Sequence, residues 1–213
     1  MPLQLLSENP LYFLAWVLAI IIALTTHEFA HALTATKLGD STPARMGRLT
    51  LNPIAHIDPI GFLALVLIGF GWAKPVPFNP YNLVKSPRWG PVLVAFAGPL
   101  TNLFNVLFFG LILKFITSIT GLAGYNLGIQ FLNLLIVINV VLFVFNFIPI
   151  PPLDGSKILY SILNSPKYDQ LKLKLETRGP IILILLLILD DFLGFHIISG
   201  ILRSVINLVY SFF

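Results

Sequence analysis

The chain has 213 residues, of which 57% are hydrophobic and only 10% charged, with a net charge of +4 and no cysteine. A soluble globular chain is about 25% charged, so this composition excludes a water-soluble fold and makes lipid the main solvent. The lack of cysteine excludes disulfides and thiolate ligands, so any metal must be held by His, Asp or Glu. No basic run interleaved with aromatics suggests a nucleic-acid face.

Met1 to Pro10 carries no Lys or Arg, which a cleavable signal would need, so the apolar run that follows reads as a retained helix. Leu11 to Leu33 is long enough to span a hydrocarbon core, which takes about 20 residues. Its second half carries Thr25, Thr26, His27, Glu28 and His31. Thr42 to Pro59 is polar, and Met46 to Leu51 partly alternates. The pattern predicts a short strand or hairpin there, on the membrane surface or dipping into it. Ile60 to Trp72 is apolar but too short to span, and fits a re-entrant segment. Lys74 to Pro91 is proline-rich. Non-helical backbone at membrane depth is tolerated only against protein or water, so this stretch should pack on the active site.

Val92 to Thr117 is a second span, with Gly98-Pro99 and Asn102 inside it. Asn126 to Ile148 is a third, broken by Pro149, Pro151 and Pro152. Asp154-Gly155 follows, and a short helix is predicted over Ser156 to Leu163. Ser165 to Arg178 is polar and basic. Gly179 to Phe213 is apolar, interrupted by Asp190-Asp191, and reads as a helical hairpin. The fold class is an all-α polytopic membrane protein. Three core transmembrane helices are joined by a C-terminal hairpin and a short strand or re-entrant segment near the active site. The chain reads as one integral-membrane domain over 1–213, with a catalytic core over 11–164 and the hairpin over 179–213.

Loop charge orients the spans. Lys37, Arg45 and Arg48 follow the first span, and Lys74, Lys85 and Arg88 follow the apolar segment after it. They share a side only if Ile60 to Trp72 does not cross. Ser118 to Leu127 is uncharged, and the stretch after the third span is basic again. The N-terminus is therefore expected outside, in a multi-pass cell-membrane protein whose basic loops and active-site opening face the cytoplasm. His27 then lies ~15 Å below the Lys37 end at 1.5 Å per residue.

His27-Glu28-Phe29-Ala30-His31 is an H-E-x-x-H on a helical segment. Residues four apart share a helix face, so both imidazoles can reach one Zn²⁺, with Glu28 beside them as general base. Such residues in a lipid-spanning helix are costly unless paired or metal-bound. A packed polar cluster is the plainer alternative. Catalytic zinc commonly takes three protein ligands. Asp154 is the best-placed third, His56 and Asp58 are its rivals, and Asp154 reads equally well as the N-cap of the helix after it. A structural hydrogen bond is the simpler reading of His56; a substrate or oxyanion contact is the alternative. Asn102 reads as a hydrogen bond across helices, and His196 as an interfacial residue.

Three motifs in order, H-E-F-A-H at 27–31, G-P-L-T-N at 98–102 and N-F-I-P-I-P-P-L-D-G at 146–155, resemble the site-2 protease family of intramembrane zinc metalloproteases. The segment at 51–61 also resembles the stretch after the first motif in compact microbial members. The resemblance implies one Zn²⁺ per chain, held by His27, His31 and Asp154, with Glu28 catalytic. It implies that Asn146 helps place the substrate strand or stabilise the oxyanion; satisfying carbonyls freed by Pro149 and Pro151 is the alternative. The implied activity is hydrolysis of peptide bonds within or near transmembrane segments of other membrane proteins, by a compact member without a peptide-binding domain. Two other classes stay open: a membrane metal-handling or transport protein, and a non-cleaving client-binding relative. The physiological substrate and the oligomeric state are not legible.

Overall fold

An apolar run in lipid must satisfy its backbone internally, and a helix does so within one segment. In a computed structural model, which describes residues 2–121, 126–163 and 165–213, three helices are long and apolar enough to cross a membrane. They are α2 (Pro10–Leu38), α5 (Gly90–Thr120) and α6 (Leu127–Phe145), and α5 packs against both of the others. A short α1 (Pro2–Glu8) precedes them, and α3 (Thr42–Arg45) and α4 (Pro59–Ile68) lie between α2 and α5. After α6 come α7 (Asp154–Ile162), α8 (Asp169–Phe192) and α9 (Ile197–Tyr210). No sheet forms among the described residues; two extended segments meet in a single antiparallel bridge, Ile57 to Ala73.

The bundle is more polar inside than out. On α5 the large hydrophobics Leu93, Leu100, Phe104, Leu107, Phe108, Leu111, Phe115 and Ile119 are exposed, with the polar Lys114, Ser118 and Thr120 toward its end, whereas Gly98, Pro99, Asn102 and Asn105 are buried. That inversion is expected where the outer solvent is hydrocarbon, since helices in lipid associate through small residues and interhelical hydrogen bonds. An apolar cluster of Val106, Leu113, Ile129, Ile136 and Val140 holds α5 to α6, and Val205, Ile206 and Tyr210 of α9 pack on it.

The first span runs past the expected Leu33 to Leu38 and stops at Gly39, whose φ of 118° only glycine adopts readily. A Cβ there would also meet Val84 at 2.8 Å. Met46 to Leu51 does not form the expected strand. It is a turn and bends after α3, because the amides of Met46, Gly47 and Arg48 donate back to Thr42, Ala44 and Pro43 of α3 and the Arg48 side chain bonds to the loops, instead of to a neighbouring strand.

α4 fits the short apolar segment. At 1.5 Å per residue it is ~15 Å long, about half of a hydrocarbon core. Asp58 caps it, accepting from Gly61 N at 2.8 Å. Gly61 and Gly71 let the returning chain touch it: a Cβ on Gly61 would lie 2.2 Å from Trp72 O. The Ile57–Ala73 bridge and Lys74 N donating to His56 O at 2.8 Å close the loop, so the chain leaves this segment beside where it entered. The C-terminal pair of helices turns at 193–196. There Asp190 accepts from Ile197 N at 2.8 Å and Ile198 N at 3.1 Å, capping α9. Residues 122–125 of the uncharged connection lie outside the described residues.

Candidate metal centre

His27 and His31 stand one turn apart on the buried face of α2. Asp154 reaches them from the first turn of α7, placed by the proline break after α6. Asn146 ends α6 and ties the break together. Its backbone oxygen accepts from Gly155 N at 2.7 Å, its side-chain oxygen faces Asp154 N at 3.5 Å, and its Nδ2 donates to Leu142 O at 3.0 Å. Gly155 leaves no room for a side chain, since a Cβ would lie 2.5 Å from Ile148 O. Leu153, not Asp154, holds the N-cap position of α7, and no side chain caps that helix.

Asp154 Oδ2 lies 3.2 Å from His27 Nε2 and 3.1 Å from His31 Nε2, and the two Nε2 atoms are 3.0 Å apart. All three residues are buried. His31 Nδ1 is 2.7 Å from Val94 O, and His27 Nδ1 is 2.6 Å from Asn102 Oδ1. Both oxygens only accept, so in their neutral form both imidazoles carry the proton on Nδ1 and present bare Nε2 atoms. Two nitrogen lone pairs then face each other and a carboxylate oxygen that accepts no hydrogen bond. A cation resolves that arrangement. The separations are close to the edge of a zinc tetrahedron, about 3.3 Å for ligands at about 2.0–2.1 Å.

Space agrees with charge. A Cβ built on Gly98 of α5 would lie 2.5 Å from both Nε2 atoms. The glycine leaves open a cradle that any side chain would fill. His27, His31 and Asp154 are also the one group of metal-ligating side chains found together among the described residues. Lys157, one turn beyond Asp154, reaches its other oxygen at 3.3 Å.

Glu28 is buried beside the cluster, and its Oε2 accepts from Val76 N at 3.2 Å. Val76 belongs to the proline-rich stretch that was expected to pack on the site. Arg48, also buried, fixes that stretch: its guanidinium donates to Ala55 O, Lys74 O and, at 2.8 Å, Pro75 O.

The remaining candidates lie elsewhere. Asp58 serves as the cap of α4. His56 is buried, with Nε2 2.8 Å from Thr50 O and Nδ1 unpartnered, on the wall of an apolar cavity of about 340 Å³ between α2, α4 and α6. Sequence reasoning missed Asn105, Asn139, Arg48 and Val76. An asparagine in an apolar span is a signal in itself and would have found the first two; nothing in the residue pattern marks Val76.

The model of peptidase family M50 matches residues 116–189, which include Asp154. "Putative zinc metalloprotease YwhC" of Bacillus subtilis is 45% identical over 150 residues, covering 69% of this chain and 68% of that protein. "Putative zinc metalloprotease Rip2" of Mycolicibacterium smegmatis is 33% identical over 193 residues, covering 88% and 70%. "Zinc metalloprotease MJ0392" of Methanocaldococcus jannaschii is 26% identical over 169 residues, covering 78% and 39%. No solved structure matches.

Proposed function

Because this chain belongs to peptidase family M50, the site-2 protease family, we propose that it is an intramembrane zinc endopeptidase that cuts the transmembrane segments of other membrane proteins. The observation that carries this reading is the meeting of two buried Nε2 atoms and one carboxylate oxygen within 3.2 Å of one another, in a gap that Gly98 leaves open, among helices long enough to cross a bilayer.

In this reading His27, His31 and Asp154 hold the ion. Zinc bound there would supply Lewis acidity for the scissile carbonyl. Glu28 takes a proton from the attacking water and delivers it to the leaving amine. The Val76 N–H fixes one carboxylate oxygen of Glu28 and leaves the other to move the proton. The buried surroundings limit competing bulk water. Asn146 acts through Asp154, as a positioning residue. A helical substrate hides its carbonyls in backbone bonds, so it must unwind before attack. The chain acts as one membrane-embedded unit over 1–213, with the N-terminus outside and the basic loops cytoplasmic.

The test is cleavage of tagged single-span substrates by the purified protein in vesicles, wild type beside Glu28→Gln, with zinc measured in both. The wild type is expected to cut. The variant is expected to keep its zinc and to lose activity by about 10²–10⁴-fold, the usual contribution of a general base. Equal cleavage by both proteins would overturn the assignment of Glu28, and a zinc-loaded wild type that cuts nothing in a broad panel would overturn the proteolytic reading.

A further inference from the structure

The two histidines are oriented by different means. His31 Nδ1 faces a backbone carbonyl, Val94 O, which only accepts. His27 Nδ1 faces a side-chain amide, Asn102, which presents an acceptor on one side and a donor on the other. Turned over, Asn102 would aim its NH₂ at Nδ1. The imidazole proton would then sit on Nε2, the atom that points into the cluster. The sense of this amide has to be fixed from outside.

A chain of hydrogen bonds across three helices does so. Asn139 of α6 donates from Nδ2 to Leu135 O of the same helix at 2.8 Å. A carbonyl cannot donate, so Asn139 Oδ1 must point the other way, toward α5. There it accepts from Asn102 Nδ2 at 2.8 Å and from Asn105 Nδ2 at 3.1 Å. Asn105 Nδ2 also donates to Thr26 Oγ1 of α2 at 2.9 Å. With Nδ2 committed to Asn139, Asn102 can present only Oδ1 to His27. Asn102 and Asn139 are both 0% exposed, so solvent cannot stand in for either partner.

We propose that Asn139 is a positioning residue for metal binding. Acting through Asn102, it holds His27 in the Nδ1–H form, with the Leu135 carbonyl as the fixed origin of the relay. This rests on the reading of His27 as a metal ligand. It also accounts for three asparagines in lipid-spanning helices, where unpaired amides are costly.

The experiment uses the full chain in detergent, with zinc affinity measured by chelator competition. Nitrogen NMR of the ion-free protein reads the tautomer of His27, with His31 as an internal control. Asn102→Leu is expected to lose affinity by about 10–100-fold, the usual effect of removing a ligand's outer partner. Asn139→Leu should fall in the same direction, with the His27 proton shared between its nitrogens and His31 unchanged. Asn102→Asp keeps an acceptor toward His27 but turns a second oxygen toward Asn139 Oδ1, so it should lose affinity while His27 keeps its Nδ1–H form. Adding Asn102→Asp to Asn139→Leu removes that opposed oxygen and fixes the acceptor, so the double variant should hold His27 in the Nδ1–H form and bind zinc more tightly than either single one.

A packing role alone predicts that the double variant is worse than either single one, and that result would overturn the relay. So would an unchanged tautomer and affinity in Asn139→Leu. Should that variant fail to fold, the same His27 tautomer in Asn102→Asp and Asn102→Leu would overturn it. A wild type that takes up no zinc overturns the metal-ligand reading instead. The ion-free tautomer still judges the relay, since a His27 protonated on Nε2 contradicts it.

Discussion

The Val76 amide donates to Glu28 across 3.2 Å, joining the carboxylate beside the histidine pair to a stretch of loop 48 residues further along the chain. The contact depends on Arg48. Its guanidinium bonds to the carbonyls of Lys74 and Pro75 on one side and Ala55 on the other, so it sets where Val76 lies. Arg48→Met keeps much of the buried stem and removes the fork. Peptide hydrolysis should fall by about 100-fold, the scale of a 1 Å misplacement of a reacting group. Bound zinc should be unchanged, because no ligand touches this clasp. Arg48→Lys should not rescue, since an ammonium cannot span the three carbonyls as the planar fork does. Paired assays of zinc content and cleavage check this; a loss of zinc in Arg48→Met would refute the division of labour.

Gly98 gives a sharper separation of folding from metal binding. In a helix, Gly→Ala ordinarily stabilises by about 1 kcal/mol. Here the added methyl would sit 2.5 Å from both Nε2 atoms. The imidazoles must swing aside, and the cradle closes. Moving two buried, hydrogen-bonded imidazoles costs about 1–3 kcal/mol, which offsets the helix gain, so Gly98→Ala is expected to fold no more stably than the ion-free wild type and to bind no zinc. Thermal unfolding with and without zinc reads both quantities; a zinc-dependent rise in Tm in the variant would count against the cradle.

Asp154 and Asp58 both stand at helix starts, and only one faces the histidines. Asp154→Ala should abolish zinc uptake, because it removes the third donor. Asp58→Ala removes the cap on α4, worth about 1 kcal/mol, and should leave the zinc content intact. Measuring zinc by emission spectrometry on both proteins decides between them. Loss in both would mean that α4 is also needed to build the site.

The contrast between these two aspartates shows where sequence reading stops. His27 and His31 were legible because helical spacing alone puts them on one face, and three uninterrupted apolar runs could only be helices in lipid. Asp154 was not legible from spacing. It lies more than 120 residues from His31, and only the turn built on Asn146 and Gly155 brings it there. The resemblance to a known family supplied what the local pattern lacked. The expected strand at Met46 to Leu51 failed for a related reason. Its alternation is real, but Arg48 has long-range partners at 55, 74 and 75 that bend the chain away from a ladder. Extended pairing went instead to Ile57 and Ala73, which are neighbours only because α4 turns back.

The last prediction concerns the clasp at the end of the first span. Asp40 is fully buried just past Gly39. Its carboxylate accepts from Thr42 N at 3.0 Å, Thr42 Oγ1 at 2.6 Å, Asn79 N at 2.6 Å and Asn82 Nδ2 at 3.1 Å. Burial pushes this carboxyl up, but the hydrogen bonds together outweigh it and hold it below its usual value. A group whose folded pKa is depressed stabilises the fold fully above its unfolded pKa, about 3.9 for Asp. That contribution is lost as pH falls from there through the folded value. The wild type should therefore lose stability below about pH 4 more steeply than Asp40→Asn, which has no charge to neutralise. At neutral pH the variant should be less stable by about 2 kcal/mol, on the scale of one charge-assisted hydrogen bond. Unfolding in mixed micelles, followed from about pH 7 to about pH 2 for both proteins, measures the two slopes. Parallel curves would mean that Asp40 is not the acid-sensitive tie between the end of α2 and the loop at 79–82.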